Sequence, residues 1–420
     1  MIKLIRGFKD ILPEETASWQ HIEKQARALF ADFGYREIVI PIMERTELFA
    51  RSIGEDTDIV EMEMYTFPDR KGELITLRPE ATASICRSFI QHKMYAEDPM
   101  QKLFMVGPMF RRERPQKGRY RQFYQIDAEI FGVPSALADA ELIFLLVTLF
   151  NRLSIQDVSA HINSLGCPDC RPNFKAALTT YLSADSDKLC SDCNRRSKRN
   201  PLRVLDCKVP TCREAMTHAP SILEFLCKTC SSEFRILRSA LDDLDVPYEV
   251  DKRLVRGLDY YTRATFEIQT QSLGAQSAVA GGGRYDNLVK MLGGPDIPAT
   301  GFAIGFDRLA ELAQLDSKGL ARKPDLYVAA LGERSRNLAF DWSCKLGKAG
   351  VLAAMDFEGR SLKSQMKRAN KLATAYTLIV GDDELQKGAA ILRNMSTKEQ
   401  VEVLLSELPQ TLLKLIKNKA

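Results

Sequence analysis

The sequence predicts an α+β fold in two parts, with a helical insertion in the first part. Three observations carry this. The stretch Phe104 to Gly132, FMVGPMFRRERPQKGRYRQFYQIDAEIFG, reads as two strands joined by a long basic loop. Eight of the ten cysteines fall between Cys167 and Cys230, among helical segments rich in Lys and Arg. From about Lys323 onward, apolar strands (Asp325 to Leu331, Gly350 to Phe357, Ala375 to Gly381) alternate with helices, the pattern of a small α/β domain with a parallel sheet.

A chain of 420 residues with 45% hydrophobic content can support two or three domains, each with its own core. The opening MIKLIRGFKDILPEE has no apolar h-region, and the longest apolar run, Leu142 to Phe150, is far short of the roughly 20 residues a bilayer span needs. A soluble, cytoplasmic protein is therefore expected. Net charge is +4, but residues 322–420 hold 17 Lys+Arg against 11 Asp+Glu, so the basic surplus lies at the C-terminal end, as contact with nucleic acid would require.

In chain order, Trp19, Ile22, Ala26, Leu29, Phe30 and Phe33 line one face of a helix over 14–33, which Gly34 stops. Tyr35 to Ile42 reads as a strand, and Pro41, with no N–H to donate, marks an edge or end. Leu74 to Ala83, LITLRPEATA, is a strand, then Pro79, then Glu80 and Thr82 at the opening of a helix that runs through Ile90. Glu80 is either a first-turn carboxylate favoured by the helix dipole or a ligand for a substrate ammonium.

In the basic loop Arg111, Arg112, Arg114, Lys117, Arg119 and Arg121 crowd together with Glu113 alone opposing them, which favours a polyphosphate or else a solvated charged tip. In the returning strand, alternation places Phe123, Gln125, Asp127 and Glu129 on a site face and Tyr124, Ile126, Ala128 and Ile130 on a core face. The helix Asp139 to Arg152 is apolar nearly all round and predicted to be buried.

The cysteines form pairs: Cys167 and Cys170, Cys190 and Cys193, the wider Cys207 and Cys212, and Cys227 and Cys230. Two-residue gaps let both thiolates of a pair reach one ion, so four pairs suffice for two structural zinc sites of four cysteines; buried free thiols are the other reading. How the pairs combine is left open by spacing alone. Next comes RLVRGLDYYTRATFE, residues 253–267, where strand alternation puts Leu254, Arg256, Leu258 and Tyr260 on one side and obliges Arg256 to find an anion. The run Gly281 to Gly283 permits close backbone approach to a ligand or a sharp turn. Gly301 to Leu309 reads as a strand entering an amphipathic helix, and after Gly359 the residues Arg360, Lys363, Lys367, Arg368 and Lys371 share a helical face opposite Leu362, Met366 and Ala369.

A strand ending in Phe-Arg-x-Glu, with an aromatic and carboxylates on the return, resembles motif 2 of the class II aminoacyl-tRNA synthetases. The helix and strand at 14–42 resemble motif 1, and Gly301 to Leu309 resembles motif 3. GPMFRRERPQKGRYRQF, TLRPE-x-T and LVRGLDYY are similar to segments of the histidyl-tRNA synthetases in particular.

The resemblance implies a catalytic domain on an antiparallel sheet over 1–320, with the cysteine-rich helical insertion at about 165–245, and an α/β anticodon-binding domain over 323–420. It implies ligation of L-histidine to tRNA(His) with ATP and Mg²⁺, in a homodimer built through motif 1. Arg111 and Arg256 would face the α-phosphate as the catalytic pair, Glu113 would read the adenine amino group, Phe123 would stack on adenine, and Arg308 would pair with the γ-phosphate. Glu80, Thr82 and Gln125 would hold the ammonium of histidine, with Ala81 contributing backbone where the family often has glycine. Glu129 and Tyr261 would meet the ring nitrogens, and Tyr260 would line the pocket. Many relatives carry the insertion without its cysteines. A regulatory subunit of histidine biosynthesis shares this fold but lacks the C-terminal domain and has eroded ATP-site arginines, whereas Arg111, Arg256 and Arg308 are all present here.

Overall fold

The computed structural model describes residues 1–417 apart from 55, 56, 58, 117, 185, 271 and 273–277. Lys117 of the basic loop thus lies outside the described residues. The chain forms two compact units, Met1–Leu320 and Ala321–Ala420.

The first unit is organised on an eight-stranded sheet. Its spatial order is Arg36–Glu37, Gln101–Phe110, Gln122–Phe131, Ala299–Gly305, Ala278–Arg284, Thr262–Gln269, Ser159–Ser164 and Tyr248–Val250. Pairing is antiparallel throughout the middle and parallel only at the two outer pairs. The helices Pro13–Asp32 and Leu137–Arg152 cover one face. Trp19, Ile22, Phe30, Leu142 and Phe150 pack there against Ile126, Ala128 and Ile130, the core face that alternation assigned. Pro13 opens the first helix with Glu14 and Glu15 behind it, satisfying the positive end of the dipole, and Gly34 follows its end at a φ of 77°.

The strand expected over Tyr35 to Ile42 shrinks to Arg36–Glu37, beside Leu103 and Phe104. Ile38 still donates to the Phe104 carbonyl, but the chain then leaves the sheet toward Pro41, which cannot donate. Met43–Arg45, Tyr65–Pro68 and Leu74–Leu77 form a separate three-stranded sheet with Leu74–Leu77 at its centre.

Between Ser159–Ser164 and Tyr248–Val250 lies the insertion. Its helices Arg171–Ala184, Ser191–Arg199, Pro210–Ala215 and Lys228–Asp243 are mostly short, and Phe174, Leu178, Leu182, Val204 and Ile222 share a core with buried cysteines.

In the second unit the strands Ala353–Met355, Leu326–Ala330 and Tyr376–Val380 are parallel, as the alternation of elements predicts. Two further strands, Ala389–Asn394 and Gln400–Leu404, are antiparallel, so the sheet is mixed and not purely parallel. The reason is length: the only element between Tyr376–Val380 and Ala389–Asn394 is the six-residue helix Asp382–Lys387, too short for a crossover. Among the described residues no helix is long and apolar enough to cross a membrane.

Candidate active site

The face of the large sheet turned away from the two covering helices carries the predicted residues. The hairpin Gln101–Phe110 and Gln122–Phe131 pairs Met109 with Phe123 and Met105 with Asp127, so Gln125, Asp127 and Glu129 rise in a row from one face, all buried. Arg111, just beyond the first strand, donates through Nε to the Pro79 carbonyl (2.9 Å) and lies over the Phe123 ring at 5.3 Å. The loop's cations are held apart: Glu113 pairs with Arg119 and stands 3.7 Å from Arg111, while Arg112 lies over the Tyr65 ring. Arg111, Glu113, Phe123, Gln125, Arg256 and Arg308 line one cleft, as sequence reasoning grouped them.

Deeper in, Thr82 Oγ1 donates to Glu129 Oε1 at 2.7 Å and the Tyr285 hydroxyl donates to Glu129 Oε2. Glu80 meets the first of its two readings, as a carboxylate at the opening of a helix. Its Oε1 accepts from the Ala83 N–H at the start of the helix Thr82–Gln91, and its Oε2 has no partner in the chain. Gln125 Oε1 and Asp127 Oδ2 are likewise buried without a partner. Burial raises the carboxyls of Glu80, Asp127 and Glu129 above their ordinary range, the last two well above it. Oxygens of Glu80, Gln125 and Asp127 are thus buried with no hydrogen-bond partner among the described residues, beside the bonded carboxyl of Glu129. Ala81 is fully buried among Ile85, Phe89, Tyr260 and Tyr261, in one apolar cluster.

The segment 253–261 is not the strand that alternation suggested. It is a loop, and Tyr260 and Tyr261 both turn inward, with ring centroids 4.6 Å apart. Arg256 finds its anion in Glu267, at 2.6 Å, and lies over the Tyr261 ring, yet its Nε has no partner in the chain. The three glycines make no turn: they sit mid-strand in Ala278–Arg284, and the group that approaches Gly281 is the Arg256 side chain, for a Cβ there would lie 2.3 Å from Arg256 Nη1. Arg308, near the start of the helix Phe306–Ala313, donates to the Ala278 carbonyl, and Asp307 beside it accepts from the Tyr124 N–H at 3.1 Å. Sequence reasoning missed Tyr285 and Glu267. Tyr285 follows the glycine run that drew attention, and Glu267 closes the quoted segment, but no local pattern aims either side chain at Glu129 or Arg256.

The eight clustered cysteines gather as two sets, Cys167, Cys170, Cys227 and Cys230, and Cys190, Cys193, Cys207 and Cys212. Within each set all four sulfurs lie within 4.8 Å of one another. Separations of 3.6 Å (Cys167 to Cys170), 3.9 Å (Cys167 to Cys227) and 4.0 Å (Cys190 to Cys207) match the roughly 3.8 Å edge of a tetrahedron with Zn–S bonds near 2.3 Å. Backbone N–H groups of Cys190 and Cys227 point at Cys212 and Cys170 sulfurs, both at 3.1 Å. The Cys190 and Cys227 thiols fall to about 7, chiefly through the N–H groups of Cys193 and Cys230, while burial pushes Cys193 and Cys230 up. The donor set fits a closed, four-sulfur ion.

Comparison with known proteins agrees with this geometry. The family model described as histidyl-tRNA synthetase matches residues 7–170 and 175–309, and one described as an anticodon binding domain matches 325–415. A histidine–tRNA ligase of Desulfatibacillum aliphaticivorans is 60% identical over 416 residues, covering 99% of both chains. One from Desulforapulum autotrophicum is 59% identical over 420 residues, covering 100% of this chain and 99% of its own. The crystal structure of apo S. aureus histidyl-tRNA synthetase superposes with a TM-score of 0.82 at 34% identity, covering 99% of this chain and all of that one. With its sheet, cleft and both matched regions in place, the chain belongs to the histidyl-tRNA synthetase family.

Proposed function

We propose that the chain is a histidine–tRNA ligase that activates L-histidine with ATP and passes it to the 3′ end of tRNA(His). The observation that carries this reading is one cleft holding Arg111, Arg256 and Arg308 beside buried oxygens of Glu80, Gln125 and Asp127 that have no partner among the described residues. In the first step the carboxylate of histidine, already ionised at neutral pH, attacks the α-phosphorus and pyrophosphate leaves. No general base is needed. Alignment and positive charge are, and Arg111 and Arg256 supply them, the latter held in place by Glu267. Phe123 offers a face for adenine, Glu113 an acceptor for its amino group, and Arg308 a cation for the γ-phosphate. Glu80, Thr82 and Gln125 take the ammonium, and Glu129 with Tyr261 takes the ring nitrogens, with Tyr260 closing the pocket. In the second step a terminal ribose hydroxyl of the tRNA attacks the adenylate carbonyl, releasing AMP.

Mg²⁺ would enter with the nucleotide and be held by it, since Glu113 and Glu267 are paired with Arg119 and Arg256. When bound it neutralises charge on the departing pyrophosphate. The two cysteine sets fit zinc as structural ions with no open position; fewer than two zinc per purified chain would contradict this. A homodimer is supported by apolar exposure in the motif 1 region, where Val39 is 90% exposed and Ile42 and Met43 also face outward. Sedimentation giving a monomer at micromolar concentration would remove it.

The function is tested by pyrophosphate exchange into ATP with each standard amino acid offered singly. Exchange with histidine alone is expected; saturable histidine binding with no exchange would point to a regulatory relative. Arg256→Ala should lose at least about 2 kcal/mol of transition-state stabilisation while still binding histidine, read as kcat/KM beside a direct binding isotherm.

A further inference from the structure

The loop that carries Arg256, Tyr260 and Tyr261 receives little backbone support from strand or helix, and the insertion reaches it from two sides. Arg171 directly follows Cys170. Its N–H bonds the Cys167 carbonyl, its Nε donates to the Leu165 carbonyl at 3.1 Å, and its Nη2 donates to the Tyr261 carbonyl. Arg203 lies in the turn Pro201–Asp206, between Cys193 and Cys207, with Val204 of that turn packed among the second cysteine set. Its Nη2 donates to the Gly257 carbonyl at 2.6 Å and stands 3.8 Å from Asp259 Oδ1, which also accepts from Asn200 at 3.3 Å. The Asp259 carboxylate acts on Arg171 as well, so one loop residue is shared by both arginines.

We propose that Arg171 and Arg203 are positioning residues, each rooted beside one cysteine set, that clamp the 254–261 loop at the carbonyls flanking its functional side chains. The insertion's two cysteine sets then serve the active site through these arginines, beyond holding the insertion together. The two contacts differ in what they steady. Gly257 adjoins Arg256, so Arg203 fixes the cation that meets the phosphate. The Tyr261 carbonyl sets the ring that meets the histidine ring nitrogens, so Arg171 fixes the amino-acid site. The kinetic part of this assignment rests on the ligase function proposed above.

The test compares Arg171→Ala, Arg171→Lys, Arg203→Ala, Arg203→Lys and, as a control on the exposed face of the insertion, Arg235→Ala. Each is assayed for pyrophosphate exchange, zinc content, and amide hydrogen exchange of the 251–262 segment. Arg171→Ala is expected to raise KM for histidine about tenfold or more with KM for ATP unmoved, and Arg203→Ala to lower kcat by a similar factor. Both should speed amide exchange in the loop at unchanged zinc content, with lysine recovering part of the loss and the control behaving as wild type. Chelating the metal should speed exchange across the same segment. Wild-type kinetics and loop exchange in both alanine variants would overturn the clamp. Loss of zinc together with a uniform fall in kcat and rise in both KM values would also overturn it, by reducing the arginines to scaffold. Loop exchange untouched by chelation would overturn the link to the cysteine sets. If the wild-type chain shows no histidine-dependent exchange into ATP, the ligase reading fails, and amide exchange still decides the clamp.

Discussion

Asp127 shows what a single buried carboxyl does to this molecule. It stands between Gln125 and Glu129 on one strand face, with Oδ2 lacking a partner and burial raising its carboxyl well above the ordinary range. A carboxyl so raised contributes stability in its neutral form, fully present below about pH 4 and lost as pH climbs through the raised value. Asp127→Asn removes that loss. Its melting temperature should therefore gain on wild type as pH increases from about 4 toward neutrality, and a gap constant with pH would exclude ionisation of Asp127 as its source. Gly281 makes the complementary case for space. The atoms a Cβ would meet there all belong to the Arg256 guanidinium, the free end of a flexible side chain. Gly281→Ala should thus leave the fold within about 1 kcal/mol by denaturant unfolding yet lower turnover by about 100-fold, because Arg256 must move.

At the scale of elements, the helix Leu137–Arg152 is tied to the sheet through a buried ion pair. Arg284 donates to Asp139 at 3.0 Å and to the Val133 and Ser135 carbonyls at 2.9 Å, and Thr300 donates to the other Asp139 oxygen at 2.6 Å. Removing Asp139 leaves the buried Arg284 to Asp286, 3.3 Å away and also beside Arg263, so Asp139→Ala should cost about 3 kcal/mol in urea unfolding, and Asp139→Leu with Arg284→Met distinctly less. An equal cost for the two would show that the pair itself, and not the stranded cation, carries the stability. None of this was legible in the sequence, where Asp139 merely begins an apolar helix. Legibility followed periodicity. The strand Gln122–Phe131 and the helix Pro13–Asp32 could be read because one face of each is core and the other is not, and the helix Leu137–Arg152 because it is apolar nearly all round. The loop 253–261 mimicked a strand because Leu254, Arg256, Leu258 and Tyr260 alternate with their neighbours, yet no strand pairs with it. The two antiparallel strands of the second unit were missed because their signal was weaker than the βα rhythm before them, and the partners of each cysteine pair are set by tertiary folding, which spacing does not encode.

For the whole molecule, the cleft lies in the first unit, and the region that matches an anticodon binding domain lies in the second. In the second, the helix Leu362–Lys371 buries Ala369 and half-buries Leu362 and Met366, leaving Lys363, Lys367, Arg368 and Lys371 exposed on the opposite face. Reversing Lys363, Lys367 and Lys371 to Glu should weaken tRNA binding at least about tenfold at 0.1 M salt and reduce the slope of log K against log salt by about 2 to 3. Pyrophosphate exchange should be untouched; a matching fall in exchange would mean that the helix does not act through tRNA alone. The cysteine sets carry a consequence at this scale too, for they are nested like parentheses. Cys170 and Cys227 are 57 residues apart, and Cys190 and Cys212, 22 apart, lie wholly between them. The inner ring can close as soon as Cys212 has left the ribosome, before the outer ring's last two ligands, Cys227 and Cys230, have emerged. Its closure shortens the tether the outer ring must span, lowering the entropy cost of the second closure. Were each set to take an ion, the nesting would give an order of assembly: inner ion first, outer ion second, and the loop bearing Arg256, synthesised after both, last of all.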